Sequence, residues 1–192
     1  MHSIEPYYRW RNLYMAEEDQ LSPFFGKEYS EFEFSNTIYN YLIHPQWDEF
    51  GSATLYLKIL FADYETGFAV IEFIGEWNDC LYNDIMFLKR DVIDLMIQQN
   101  ITKFLLIGES VMNFHFSDDS YYQEWYEDIE DGWIVAINFR QHVVSEFRNC
   151  MIHNYVHFAN VDNEFNWRKY APTALFEAID AMIPRKLESP GL

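Results

Sequence analysis

The chain has 192 residues, of which 49% are hydrophobic and 19% are aromatic, and its formal net charge is -18. This composition excludes a disordered chain and supplies enough apolar side chains for one core, so we expect a single domain over residues 1–192. The excess of acids excludes nucleic acid and anionic membranes as expected partners, because both are bound through basic surfaces.

The N-terminal residues contain no apolar stretch of signal-peptide length, and no window approaches the length of a transmembrane helix. The sequence therefore predicts a cytoplasmic protein. Cys80 and Cys150 form no CxxC pair and are expected to be free thiols. No cofactor-binding motif is found, so we expect no cofactor.

The first part of the chain, residues 1–36, mixes aromatic and charged side chains with weak periodicity. We expect it to form an arm that packs on the body of the protein. Arg9 and Arg11 are expected to pair with the chain's own carboxylates, either within a monomer or between the subunits of a homodimer. The α/β core is expected over residues 37–184, with a flexible tail at 185–192.

Strand patterns open the predicted core. Residues 37–43 have strand composition, and residues 53–62 alternate between two faces. The short connection from there to residues 68–74 favours an antiparallel hairpin, because parallel strands need a long crossover.

A helix is predicted to begin at Asp79, as its N-cap, and to end at Asn100. Its core-facing stripe consists of residues at steps of three and four: Leu81, Ile85, Leu88, Val92 and Met96. Residues 103–108 are too apolar for a half-exposed strand, so we expect a central strand that is covered on both faces.

The remaining elements alternate between helix and strand. They are a helix at 118–128, a strand at 133–139, a helix at 141–149, a strand at 152–158 and a last helix with Pro172 in its first turn, core residues Leu175, Ile179 and Met182, and an end at Pro184. A hairpin followed by this alternation predicts an α/β or α+β fold, with helices on a mixed sheet of about five or six strands. The order of elements resembles the STAS (anti-sigma-factor-antagonist) type of domain, although no sequence motif of that family is present.

The tripeptide Ile-Gly-Glu occurs twice, each time after an apolar strand pattern, and it supplies Glu76 and Glu109. Ligands tend to bind beyond the carboxyl ends of parallel strands, so Glu76, Glu109, His115 and Asn138 are candidate catalytic residues. Two facing carboxylates would form an acid and base pair, with His115 as proton partner and Asn138 orienting a substrate. The alternative is that each glycine lets the backbone turn and each glutamate is solvated.

A second candidate site contains Cys150, His153 and His157. The four-residue spacing places the two histidines on one face, and a thiolate with two imidazoles suits zinc. However, Cys150 falls on the opposite face of the predicted strand, and the spacing indicates no fourth ligand. We therefore expect a structural or surface role and no bound metal.

A third candidate is the acidic and aromatic stretch at residues 117–133. Between Lys103 and Arg140 there are eight acids and no lysine or arginine. The candidate binding residues are Tyr122, Trp125, Tyr126, Asp128, Glu130, Asp131 and Trp133. Such a surface suits a basic protein partner, because aromatic rings add cation-π contacts to the attraction between charges. The alternative is an amphipathic helix whose rings cover the sheet, which does not account for the acids at its C-terminal end.

These observations favour a protein-protein interaction or regulatory module that binds through the acidic and aromatic stretch. The alternative is a small-molecule-binding domain or an enzyme with a strand-end site built on Glu76 and Glu109.

Overall fold

The structure is a computed structural model that describes residues 3–30, 32, 34, 36–39, 41–159 and 165–183. The predictions for Pro184 and for the tail at 185–192 lie outside the described residues. The single-domain organisation stays a prediction.

The described strands form two sheets. The small sheet has the order β1-β3-β2 and contains β1 (Ser3–Ile4), β2 (Thr37–Ile38) and β3 (Tyr41–Ile43). The large sheet has the order β4-β5-β6-β7-β8 and contains β4 (Leu55–Asp63), β5 (Phe68–Asn78), β6 (Lys103–His115), β7 (Trp133–Ile137) and β8 (His157–Ala159). In the large sheet, β4 is antiparallel to β5 and the later strands are parallel to one another.

The helices follow the parallel strands. They are α1 (Asp79–Tyr82), α2 (Asp84–Leu88), a π-helical segment (Lys89–Ile93), α3 (Asp94–Gln98), α4 (Ser120–Asp128), α5 (Gln141–Asn149) and α6 (Pro172–Asp180), with single 3-10 turns at Ile152–Asn154 and Trp167–Lys169. The predicted fold class, a mixed sheet with an antiparallel hairpin and packed helices, is confirmed.

The helices of all three parallel crossovers cover the same face of the large sheet. That face presents Phe104 and Leu106 of β6, which share one core with Val92, Trp125 and Phe147 from the three crossovers. The strand order follows the chain order, and right-handed crossovers in such a sheet place every connecting helix on one side.

The opposite face is covered by the two ends of the described chain. Leu105 and Ile107 point to this side, because successive residues of a strand face opposite ways. They share a second core with Trp10 of the N-terminal segment (residues 3–30), with Trp167 and with α6. The large sheet is therefore the middle of three layers.

Contacts of the N-terminal segment differ from the predicted arginine pairs. Arg11 donates to the side-chain oxygen of Gln46 at 3.0 Å, which is an amide and not a carboxylate. An ion pair comes instead from Glu17, whose Oε2 lies 3.5 Å from the Nζ of the buried Lys58 on β4.

Two predicted strands are interrupted by residues with positive φ. Residues 37–43 form a hairpin and not one strand, because Tyr39 has a φ of 47°. Met151 has a φ of 62° and leads into a 3-10 turn, so the strand predicted at 152–158 begins only at His157.

The long predicted helix is also interrupted. Asn78, and not Asp79, caps its start by accepting the Leu81 N–H at 2.9 Å. Leu81 is 74% exposed, so the buried stripe begins at Ile85. Met182 lies beyond the end of α6 and is 40% exposed, so it is not a core residue of that helix.

The glycines of the two Ile-Gly-Glu copies lie inside strands and not at turns. Gly75 has a φ of 121°, and a Cβ at this position would lie 2.1 Å from the backbone oxygen of Thr54. A Cβ on Gly108 would lie 2.4 Å from the ring of Phe139. The first glycine is required by backbone conformation and close approach, and the second by close approach alone.

The substitution Gly75→Ala should lower the free energy of unfolding by about 3 kcal/mol, because it adds a backbone clash to an unfavourable φ. The matched control is Gly26→Ala: Gly26 also has a positive φ, but no atom lies within 4 Å of an added Cβ. The control should lower the free energy of unfolding by only about 1 kcal/mol, which is the effect of the unfavourable backbone conformation alone. Urea denaturation measures both variants, and equal losses would contradict the close-contact explanation.

Candidate functional site

Glu76 and His115 meet at the carboxyl ends of β5 and β6. The Nε2 atom of His115 lies 2.6 Å from Oε1 of Glu76, and the Tyr39 hydroxyl donates to Oε2 of Glu76 at 3.0 Å. The His115 side chain is 48% exposed, so its ring can be reached from solvent. The structure therefore brings together the predicted carboxylate and its proton partner.

Glu109 lies in a different cluster, where it accepts hydrogen bonds from three side chains. Asn138 and the Trp167 indole each donate to Oε1 at 2.8 Å, and Arg168 donates to both oxygens at 2.9 and 2.5 Å. Burial raises the pKa of Glu109, but the bonds from Arg168, Asn138 and Trp167 outweigh it and hold the pKa below its ordinary value. This carboxylate is a charged anchor and is poorly suited to accept a proton.

The strand register explains why the two Ile-Gly-Glu copies have separate partners. Glu76 pairs with Asn113 of β6, which is beyond Glu109 along the same strand. A ligand crevice in an open α/β sheet forms where the strand order reverses, and the order β4 to β8 contains no reversal. The predicted site is therefore divided: His115 contacts Glu76 and Asn138 contacts Glu109, and the two glutamates share no hydrogen-bond partner among the described residues.

Glu72 belongs to the second cluster and was missed by the sequence analysis. It is only 4% exposed, it accepts the Tyr7 N–H at 2.8 Å and it lies 3.9 Å from the Arg168 guanidinium. Burial raises the pKa of Glu72 to about 7, against the opposing effects of Tyr7 and Arg168. The signal in the sequence was a lone acid within the apolar run at 68–74.

The predicted zinc ligands lie in different structural elements. Cys150 is a free thiol that packs against the core of the helix-covered face, and burial followed by the charge of Glu146 raises its pKa. His153 lies in the 3-10 turn and His157 begins β8. Within the described part of the chain, no group of three or more His, Cys, Asp or Glu side chains is arranged to hold a metal ion.

The two histidines instead share a groove with part of the predicted acidic and aromatic surface. This groove has a volume of about 440 Å³ and is lined in part by Tyr126, Glu130, Asp131, Trp133, His153 and His157. Asp180 at the end of α6 and Ile183 just beyond it are also part of the wall. The groove lies at the amino ends of β7 and β8. Glu76 and His115 lie at the other end of the sheet, where the parallel strands have their carboxyl ends.

The remaining predicted binding residues, Tyr122, Trp125 and Asp128, contact other parts of the same chain. Tyr122 is buried and donates to Asp79 at 2.6 Å, and Trp125 is buried against Phe104. Asp128 lies 2.8 Å from Nζ of the buried Lys89. The rings of Tyr122 and Trp125 thus face the interior, as in the alternative interpretation, whereas the pairing of Asp128 with Lys89 was not predicted.

The chain matches no protein-family model, no curated protein and no solved structure. Its resemblance to the STAS type of domain therefore remains one of element order. Within the described ranges, no helix combines the length and apolar character needed to cross a membrane.

The raised pKa of Glu72 predicts how stability changes with pH. Because the folded pKa of about 7 exceeds the ordinary 4.5, this carboxyl stabilises the fold below pH 4.5 and loses that contribution as the pH rises through 7. The variant Glu72→Gln cannot ionise, so it should gain about 2–3 kcal/mol relative to the parent between pH 4.5 and 8.

Urea denaturation across this pH range measures the difference between the two proteins. Glu65→Gln is the control, because it removes the same charge at a residue that is exposed in the turn between β4 and β5. Parallel pH profiles for Glu72→Gln and the parent would contradict the assignment.

Proposed function

We propose that this protein is a protein-binding module whose groove receives a basic segment of a partner. We expect it to act in the cytoplasm, as a monomer or homodimer. The observation that carries the proposal is the groove itself, in which acids and rings from α4, β7, the turn before β8 and α6 face one volume of about 440 Å³.

The charge of the groove supports a cationic ligand. Glu130 and Asp131 are exposed at its rim, and Asp180 is held in the wall by the Trp133 indole, which donates to it at 3.1 Å. No lysine or arginine of the described chain lines this groove. With a net charge of -18 on the whole chain, the attraction would also speed the approach of a basic partner.

Of the acids in this region, Glu130 and Asp131 are the two that differ from those paired within the protein. Lys89 and Arg90 engage Asp94, Glu124 and Asp128 in ion pairs. Glu130 and Asp131, by contrast, form no ion pair with any described residue, so their charge is available to a ligand. Pairing within the chain explains the first set of acids and leaves the second set unexplained.

The rings of the groove suit a lysine or arginine side chain. Tyr126 and Tyr155 are half-buried, and their ring centroids lie 6.1 Å apart with a tilt of 57°. The Tyr155 hydroxyl donates a hydrogen bond to Asp119 at 3.0 Å, which fixes the position of the ring. A cation that enters beside these rings would gain cation-π attraction as well as the field of the acids.

Binding to a short capped peptide in which arginine alternates with valine tests the proposal by isothermal titration calorimetry. Replacing Glu130 by Gln and Asp131 by Asn together should weaken binding about fivefold, because each exposed ion pair is worth up to about 1 kcal/mol. Affinity for the parent should also fall as salt is added.

The matched control replaces Glu18 and Glu65 by Gln. Both acids are exposed outside the groove, so the control makes the same change in net charge. Equal weakening in the two double variants would show that net charge alone attracts the peptide, and would contradict a specific groove.

A second candidate function is favoured by the 2.6 Å contact between Glu76 and His115. A carboxylate that orients an exposed imidazole is an arrangement used in general base catalysis. If the pair transfers protons, the parent should hydrolyse p-nitrophenyl acetate about tenfold faster than the variant Glu76→Gln. Equal rates in the two proteins would end this candidate.

A further inference from the structure

The last strand of the large sheet has an outer edge that no described strand occupies. β8 is at the end of the strand order and pairs with β7 on one side. No strand of the described chain pairs with its other side. Successive residues of a parallel strand direct their N–H and C=O groups alternately to the two sides, so the outward groups of β8 have no strand partner among the described residues.

This edge is continuous with the groove. His157 is the first residue of β8 and also lines the groove, as do Asn154 and Tyr155 just before it. An extended chain that pairs with β8 would therefore have one end at the groove. In a strand, side chains two residues apart point to the same face and are separated by roughly 6.5–7 Å, so the side chains nearest that end would be the ones placed to reach the acids.

We infer that the basic partner segment binds as an added β-strand on the outer edge of β8 and places its cationic side chains in the groove. This inference rests on the proposed function and specifies its binding mode. Backbone hydrogen bonds to β8 would supply part of the affinity, and the acids and rings would select basic side chains.

The charges favour a different protein over a second copy of this chain as the occupant. Two copies would bring together two chains that each carry a net charge of -18. The chain's own basic residues Arg185 and Lys186 follow closely in sequence after Ile183, which lines the groove. They are the competing occupant that an experiment must distinguish.

Backbone N-methylation of the arginine and valine peptide tests the inference without altering the protein. Methyl groups on one alternating set of peptide nitrogens block the hydrogen bonds that face β8, whereas methyl groups on the other set face away. We expect one methylated peptide to bind at least about tenfold more weakly than the other, which should stay within about twofold of the unmodified peptide.

The outcomes separate the inference from the proposed function. If both methylated peptides bind as well as the unmodified one, the strand-addition mode is overturned while the basic-segment function stands. If the unmodified peptide itself does not bind, the proposed function fails.

Two further results would overturn the assignment to a partner. The variant with Arg185→Gln and Lys186→Gln should bind the peptide as the parent does, and binding at least about tenfold tighter would assign the groove to the chain's own basic residues. In sedimentation experiments with and without the peptide, we expect to find no dimer that dissociates when the peptide is added. Such a dimer would assign the edge to a second copy.

Discussion

Arg168 joins the N-terminal segment and the turn before α6 to the middle of the large sheet. Its guanidinium donates two hydrogen bonds to Glu109 on β6 and lies 3.9 Å from Glu72 on β5. Glu72 in turn accepts the backbone N–H of Tyr7 in the N-terminal segment. These carboxylates are buried or half-buried, so leaving either without its partners would lower the free energy of unfolding. The network therefore fixes where the N-terminal segment and the turn before α6 pack.

The need for this network follows from the sheet topology. All three crossovers place their helices on one face, so the other face must be covered by the N-terminal segment and by α6. Trp167, next to Arg168, is fully buried in that second layer and precedes α6. Once α6 is in place, Asp180 and Ile183 at its end complete the wall of the groove. The candidate binding site is thus a consequence of how the second face is covered.

The sequence was most informative where periodicity and strand ends determine structure. It predicted the bounds of α5 and the first residues of β5 and β6, because hydrophobic spacing and helix boundaries are local signals, but it ended both strands too early. It also placed Glu76 and His115 in one candidate site with Glu109, since neighbouring parallel strands end at the same edge, and of the two glutamates it is Glu76 that contacts His115. It could not show that Tyr122 and Trp125 face inward, because an aromatic helix offers the same side chains to a sheet or to a partner.

Local sequence patterns could not predict the long-range contacts. Glu72 and Arg168 are separated by most of the chain, and only the folded sheet shows that they are neighbours. Glu130 and His153 line the same groove because residues 152–154 form a turn where a strand was predicted. The turn follows Met151, whose positive φ has no clear signal in the sequence.

Amide chemical shifts of isotope-labelled protein, followed while the basic peptide is added, test the central claim most directly. We expect the shifts to change at Tyr126, at Glu130 to Trp133 and at His153 to His157, with little change at Glu76, Glu109 or His115. Changes centred on Glu76 and His115, with the groove unaffected, would contradict the account.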